Sequence, residues 1–390
     1  MRNRSPSENQ LAVLKAIHAE GPISRSDLPK ITGLAAGTVS RITSELVRRG
    51  FVTERKEDRR HSGRPRVLLE IAGEGPVAVG GSITIRDALL ATFVDLSGRT
   101  RFEVEVEFAT RETLGELALN IADAMSAAIE ASGFAKEQIE HVGIGVPAIV
   151  DSARGVVHFM TTFEQKPVPF AELISERIGL PVTIERNITC LARAEHWHGP
   201  AQGFNSFSLI HIGLGVDSAM YVDGSPYVGA HGFGPELGHM KTCHDPDAAA
   251  CYCGGKGCAT VYASIYGIVR RSGLAVTLPE RAFEIDVYER HFEQLLQQAC
   301  AGDAKAIELF ASAGTHLGRL VADLVNSADP GLVLIYVPDP RYVGLVEKTF
   351  HEALHANALA RILSLSEVRF LEPEADWQSK GTAALALEKS

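Results

Sequence analysis

Apolar and polar residues change rhythm several times along this chain, and each change marks an element. Leu11, Leu14 and Ile17 recur at helical spacing until Gly21-Pro22 stops the run. Ser24 or Ser26 can cap a second helix over residues 27–31, which Thr32-Gly33 ends. A third helix is predicted over residues 36–49, with Val39, Ile42, Leu46 and Val47 on its inner face and Gly50 closing it. The period then drops to two. Phe51-Val52-Thr53 and Arg66-Val67-Leu68-Leu69 alternate like paired strands.

Beyond Ala72-Gly73-Glu74-Gly75-Pro76, which has the composition of a linker, strands and helices take turns. Residues 77–81, 89–95 and 100–108 read as strands, with Leu96-Ser97-Gly98 as a turn, and residues 112–132 as a helix. A buried strand at 141–147 runs into a glycine-rich turn. A helix at 170–178, a strand at 182–185 and a helix at 190–197 follow. A second glycine-rich strand pair then opens at Phe207, passes Gly213-Leu214-Gly215 and returns over 218–222. This order, taken twice, predicts an α/β actin-like ATPase fold of two α/β lobes, each beginning with a phosphate hairpin. A Rossmann domain does not fit, because both glycine turns lead into strands rather than helices. The expected division is a head at 1–72, a first lobe at 73–197 and a second lobe with the dimer interface at 198–377; a last helix, 378–390, returns to the first lobe.

A chain of 390 residues with 45 % apolar and 22 % charged positions can bury ordinary cores in two or three domains. No apolar run approaches a membrane span, and the first residues lack a signal-peptide core. Six cysteines, four of them between positions 243 and 258, do not make a disulfide framework, so a reducing cytoplasmic setting is expected. The net charge of −10 conceals an asymmetry: residues 1–70 hold 14 Lys+Arg and 8 Asp+Glu, leaving −16 on the remaining 320. Only the head is suited to a polyanion.

Three short helices and a ribbon on a basic head predict a winged helix-turn-helix. Gly37, Thr38, Ser40 and Arg41 would then face outward at the start of the third helix, where base edges and phosphates are met. The ribbon tip carries Gly63-Arg64-Pro65 between further arginines. It resembles an AT-hook core, with Arg64 expected in a narrow minor groove.

Cys251-Tyr252-Cys253-Gly254-Gly255-Lys256-Gly257-Cys258 crowds three thiols among three glycines, with His239 twelve residues upstream of Cys251. Thiolate and imidazole are the ligands of a closed tetrahedral zinc site, and the glycines let so short a loop fold back on one ion. Buried thiols or a disulfide are the ordinary alternative. Cys243 and His244 are spare candidate ligands.

Gly-Pro-Glu236-Leu-Gly-His239 followed by that cysteine loop resembles the hallmark of the ROK family (repressors, open reading frames and sugar kinases). Leu324-Val325-Asn326-Ser327-Ala328-Asp329-Pro330, before an apolar strand at 332–335, resembles its C-terminal motif. The winged helix places the chain on the regulator branch. The resemblance implies operator DNA, a sugar or sugar-phosphate effector, structural zinc on His239, Cys251, Cys253 and Cys258, and a homodimer or tetramer. It also implies effector contacts from Asn187, Glu236 and His239, with Gly145 and Pro147 shaping the turn beside them. Glu236 could instead serve only to orient His239.

Departures from the family pattern argue against an enzyme. Ala78 stands where a ROK kinase has an acidic residue at its first phosphate turn, and the kinase Asn-Asp pair, whose aspartate is the base, reads Asn187-Ile188. Tyr336-Val337 replaces a Gly-Gly on the adenosine side. Thr260 replaces a second sugar-binding glutamate, and Ala148 a small glycine. Elsewhere His196 and His198 read as surface histidines, His231 as a weak ligand candidate, Cys190 and Cys300 as packed thiols, and Asp245-Pro246-Asp247 as a solvated loop. The expectation is a sugar-responsive transcriptional regulator without kinase activity. The rivals are a regulator that still phosphorylates a sugar and one whose body senses a protein partner.

Overall fold

The computed structural model describes residues 6–56, 66–72, 76–83, 87–95, 99–109, 113–160, 166–273, 282–372 and 377–389. The head runs α1 (Pro6–Glu20), β1 (Ile23–Ser24), α2 (Leu28–Thr32), α3 (Ala36–Arg48), β2 (Val52–Lys56) and β3 (Val67–Ile71), with sheet order β1-β3-β2. Val39, Ile42 and Leu46 of α3 are buried with Val13, Ile17, Leu28 and Leu69. Each such side chain contributes about 1.5–3 kcal/mol by leaving water. Gly33 ends α2 in the left-handed region at φ 70°, a conformation that costs a side-chain residue strain. Asp27, not either serine, takes the cap position of α2, and Ser24 is spent on a 2.7 Å bond to the Asp27 carboxylate.

The first body sheet has order β10-β7-β4-β5-β6, from β4 (Val77–Ile83), β5 (Ala88–Val94), β6 (Thr100–Glu107), β7 (Ile139–Val146) and β10 (Val182–Arg186). Its helices are α4 (Leu114–Ser132) and α5 (Phe170–Ile178), and β8 (Ile149–Asp151) pairs with β9 (Val156–Phe159) as a separate hairpin. Then α6 (Asn187–His198) leads to the second sheet, order β13-β12-β11-β14-β15. That sheet is built from β11 (Phe207–Ile212), β12 (Val216–Val222), β13 (Ser225–Pro226), β14 (Leu332–Tyr336) and β15 (Glu367–Leu371). Both sheets open with an antiparallel pair and continue through a parallel one, which is the repeated order expected of the two lobes. Helices α7 (Thr260–Ala263), α8 (Ile265–Arg271), α9 (Ala282–Cys300), α10 (Ala304–Ala328), α11 (Pro340–Asn357) and α12 (Ala360–Leu363) complete the second lobe, and α13 (Trp377–Lys389) ends the chain.

Helix α6 begins at Asn187, three residues before the sequence reading put it. Ile188 and Thr189 are β-branched and weak helix formers, but Ile188 is buried against Leu191, Phe207 and Leu334, and that packing outweighs propensity. Helix α13 lies on β4, β7 and α6 and also touches α1 of the head. Two glycines make its approach possible: a Cβ at Gly143 would stand 2.1 Å from the Thr382 carbonyl, and one at Gly381 would stand 1.7 Å from the Cys190 carbonyl. Near its end Glu388 pairs with buried Arg193 and accepts from Trp197 Nε1 at 3.2 Å.

Candidate functional site

The loop after β13 brings His239, Cys251, Cys253 and Cys258 together, with one ligand atom of each within 4.8 Å of the others. A tetrahedral zinc about 2.3 Å from sulfur and about 2.1 Å from imidazole holds its sulfurs about 3.8 Å apart and a nitrogen–sulfur pair about 3.6 Å apart. Here Cys253 and Cys258 sulfurs lie 3.6 Å apart, and His239 Nδ1 lies 3.6 Å from Cys251 Sγ. A disulfide would need about 2.05 Å. The residues therefore fit a closed four-ligand ion. Burial, helped by Lys241, lowers the His239 pKa, a shift towards the neutral imidazole that a metal ligand needs. Lys241 Nζ rests 2.7 Å from Cys258 Sγ, where it can offset thiolate charge. The spare candidates stand aside: Cys243 turns to Asp245 at 3.4 Å, and neither it nor His244 joins the cluster among the described residues.

Beside the cluster, the β10–α6 junction meets the loop that carries Glu236. Asn187 donates from Nδ2 to the Ile83 carbonyl at 3.2 Å, while its buried Oδ1 has no protein partner. A Cβ at Gly145 would stand 2.5 Å from that oxygen, so only glycine leaves Asn187 its place. Arg186, 6 % exposed, donates to the Phe233 carbonyl and to Glu236 Oε1, both at 2.9 Å. Burial raises the Glu236 pKa, Arg186 opposes that, and Asp217 adds to it. Asp217 thus lies within electrostatic reach of both Glu236 and His239. Arg186 and Asn187 thus stand at the carboxyl end of β10, beside β7 and β4, where Arg186 meets the loop that carries Glu236. Asn187, Glu236 and His239 were expected as effector contacts, and Arg186, next to Asn187, holds Glu236. Arg186 and Asp217 were not expected; the one signal for Arg186 was its place next to Asn187.

In the head, Gly37, Ser40 and Arg41 are exposed and Thr38 half-buried at the start of α3, while Thr43 turns inward and donates to the Val39 carbonyl at 2.9 Å. Arg64 and the rest of the 57–65 segment lie outside the described residues.

The ROK family model matches residues 80–350, and the MarR family model matches residues 7–62. The chain belongs to the ROK family. The "DNA-binding transcriptional repressor Mlc" of Escherichia coli (strain K12) is 27 % identical over 353 residues, 90 % of this chain and 86 % of its own. The "Xylose repressor" of Caldicellulosiruptor bescii is 26 % identical over 339 residues, 84 % of this chain and 82 % of its own. Among solved structures, a ROK family transcriptional regulator described as a homolog of the E. coli MLC protein superposes with TM-score 0.80 at 21 % identity, covering 98 % of this chain and 97 % of its own. The ROK hexokinase of Thermus thermophilus superposes with TM-score 0.63 at 27 % identity over 80 % of this chain and 97 % of its own. The actin-like fold with a winged-helix head is thereby established.

Against the ROK kinase pattern, two expected departures change on inspection. Ile188 is 6 % exposed in an apolar cluster, so a residue there would not reach a sugar. The cleft-facing pair is Arg186-Asn187, one position earlier than the sequence reading placed it, and an amide stands at its second member. Tyr336 and Val337 are buried at 2 % and 1 %, with the Tyr336 hydroxyl on Glu195, and so do not protrude to crowd a nucleotide. Ala78 faces Val94, Ala383 and Ala386, so α13 covers the strand face where the acidic residue would stand. Thr260 is buried and accepts the Val216 amide at 3.1 Å, which leaves it a support of the β11–β12 turn. Two minor readings also shift. His196 is half-buried, its ring 4.9 Å from Tyr221 and 6.0 Å from Phe207, and Cys300 is exposed at the end of α9.

Proposed function

We propose that this ROK protein is a transcriptional regulator in which the winged helix binds operator DNA and the cleft between the lobes binds a sugar. The observation that carries the reading is the pairing, in one chain, of a recognition-helix start that exposes Gly37, Ser40 and Arg41 beside half-buried Thr38 with an unpartnered acceptor, Asn187 Oδ1, next to the Glu236 loop. Glu236, with a free carboxylate oxygen, and His239, with its second ring nitrogen, complete a set of groups suited to hydroxyls. The four-ligand cluster is a structural zinc site: its closed shell leaves no position for a reacting water, and its role is to hold the loop that bears His239. A dimer presents two α3 helices about one helical turn of DNA apart, and repression is the sign that the repressor relatives suggest.

The reading carries no phosphoryl transfer. An amide at Asn187 cannot take a sugar proton at neutral pH, and position 78 holds neither an acid nor room for one. Selection of bound duplexes from a random DNA pool with the purified chain tests the regulator assignment. A recurring sequence of two half-sites, bound at least about tenfold more weakly by Arg41→Ala, supports it. Enrichment of no sequence, or formation of sugar phosphate from glucose and ATP at an enzyme-like rate, sinks it.

A further inference from the structure

The chemistry of the cleft also bears on which sugars it takes, an inference that rests on the effector reading above. Apart from the His239 Nε2–H, the groups left open to a ligand are acceptors. Asn187 has spent its Nδ2 on the Ile83 carbonyl, and its Oδ1 is buried with nothing bound. Glu236 has one oxygen on Arg186 and keeps the other, and Asp217 is exposed beside it. Such positions call for donors, which hydroxyl groups supply. The oxygens of a phosphate at neutral pH supply almost none.

Charge points the same way. Among the described residues at this junction the cation is Arg186, and its guanidinium is held between the Phe233 carbonyl and Glu236, with the side chain 7 % exposed. Lys241 lies on the Cys258 sulfur, and the His211 imidazole stands 3.9 Å from Asp217. Glu236 and Asp217 therefore put two carboxylates near one guanidinium that is already engaged. A phosphorylated sugar would bring a further charge of about −1.5 to −2 into a partly desolvated space. Recognition of phosphate by proteins usually runs through arginine forks free to take two oxygens, and this arginine is not free.

We infer that the cleft selects an uncharged sugar bearing adjacent hydroxyls and rejects phosphorylated and acidic sugars. Arg186 acts as the specificity-determining residue by neutralising Glu236 and tying it across the lobes. An uncharged sugar can use the second Glu236 oxygen and Asn187 Oδ1 without disturbing that tie. An anion could reach Arg186 only by displacing Glu236 and leaving its carboxylate unpaired.

Isothermal titration of the full chain with glucose, N-acetylglucosamine and xylose, and in parallel with glucose 6-phosphate, N-acetylglucosamine 6-phosphate and glucuronate, tests this at one ionic strength. The expected result is binding of at least one neutral sugar and at least about 100-fold weaker binding of its charged counterpart. Glu236→Gln, checked for folding by thermal melt, releases Arg186 and should narrow that gap by about tenfold. Preference for a charged sugar, or a gap that Glu236→Gln leaves unaltered, overturns the inference while leaving a sugar sensor. Binding of none of the six overturns the effector reading itself.

Discussion

Arg49, at the end of the recognition helix α3, donates to Glu140 on strand β7 of the body, and both side chains are mostly buried. The same strand carries Gly145, which makes room for Asn187 in the cleft. An ion pair at this place links the end of α3 to the strand that packs beside Asn187. Glu140→Ala is expected to leave sugar affinity within about twofold while reducing the change in DNA affinity that sugar produces. Titrations of sugar and of DNA on the same variant check both. An undiminished sugar effect would mean that the pair only holds the head in place.

Metal content separates the ligands from their neighbours. Freshly purified protein should hold about one zinc per chain. Cys253→Ser should lose it along with several kcal/mol of stability, because the ion orders the loop. Cys243→Ser should keep its zinc, since that thiol faces Asp245 and not the cluster. Elemental analysis of the three proteins decides the matter, and equal zinc in all of them would remove the assignment.

The last helix is held by a buried charge pair. Arg193 is 4 % exposed, its pKa is raised by Glu388 against the cost of burial, and Glu185 is 4.0 Å away. Glu388→Ala should cost roughly 3 kcal/mol by leaving the guanidinium buried without its main partner, and replacing both residues by methionine should cost less. Denaturant midpoints for the single and double variants measure this. A double variant as unstable as the single one would contradict it.

The fold and the metal cluster were legible because each rests on local pattern. The period-two hairpins, the glycine turns and the Cys-x-Cys loop announce themselves within a dozen residues. The cleft was only half legible. Asn187, Glu236 and His239 are proposed from motif positions, whereas the Arg186–Glu236 pair became visible only once β10 and the 233–239 loop met. Ile188 misled for a related reason: a one-residue shift at the start of α6 exchanges a cleft-facing side chain for one that faces the second sheet. Tyr336 looked like an obstacle to nucleotide because its burial against Glu195, 141 positions away, leaves no mark in the sequence.

His316 provides a pH-dependent part of the stability. Its ring stacks on Tyr262 with centroids 3.7 Å apart and bonds Thr242 at 2.9 Å, and burial, with Arg319 and Arg271 nearby, lowers its pKa from 6.5 to about 4. The unfolded chain therefore binds this proton first as pH falls. The stabilisation is complete above pH 6.5 and fades between 6.5 and 4, by roughly 3 kcal/mol at the lower end. Chemical unfolding across this range should show a slope that His316→Asn flattens. An unchanged slope would assign the acid sensitivity to other groups.

Sugar bound beside Asn187 is expected to change how tightly the head holds DNA. The most direct measurement is fluorescence anisotropy of the duplex selected by the purified chain, with and without saturating glucose, N-acetylglucosamine or xylose. A ligand that binds one lobe arrangement better than the other must shift the DNA affinity, and a ligand that binds both equally cannot. The predicted result is a change in Kd of at least about tenfold with one of these sugars, lost in Asn187→Leu, whose cleft acceptor is gone. DNA affinity that stays the same with every sugar, in a protein that binds one of them, would contradict the account.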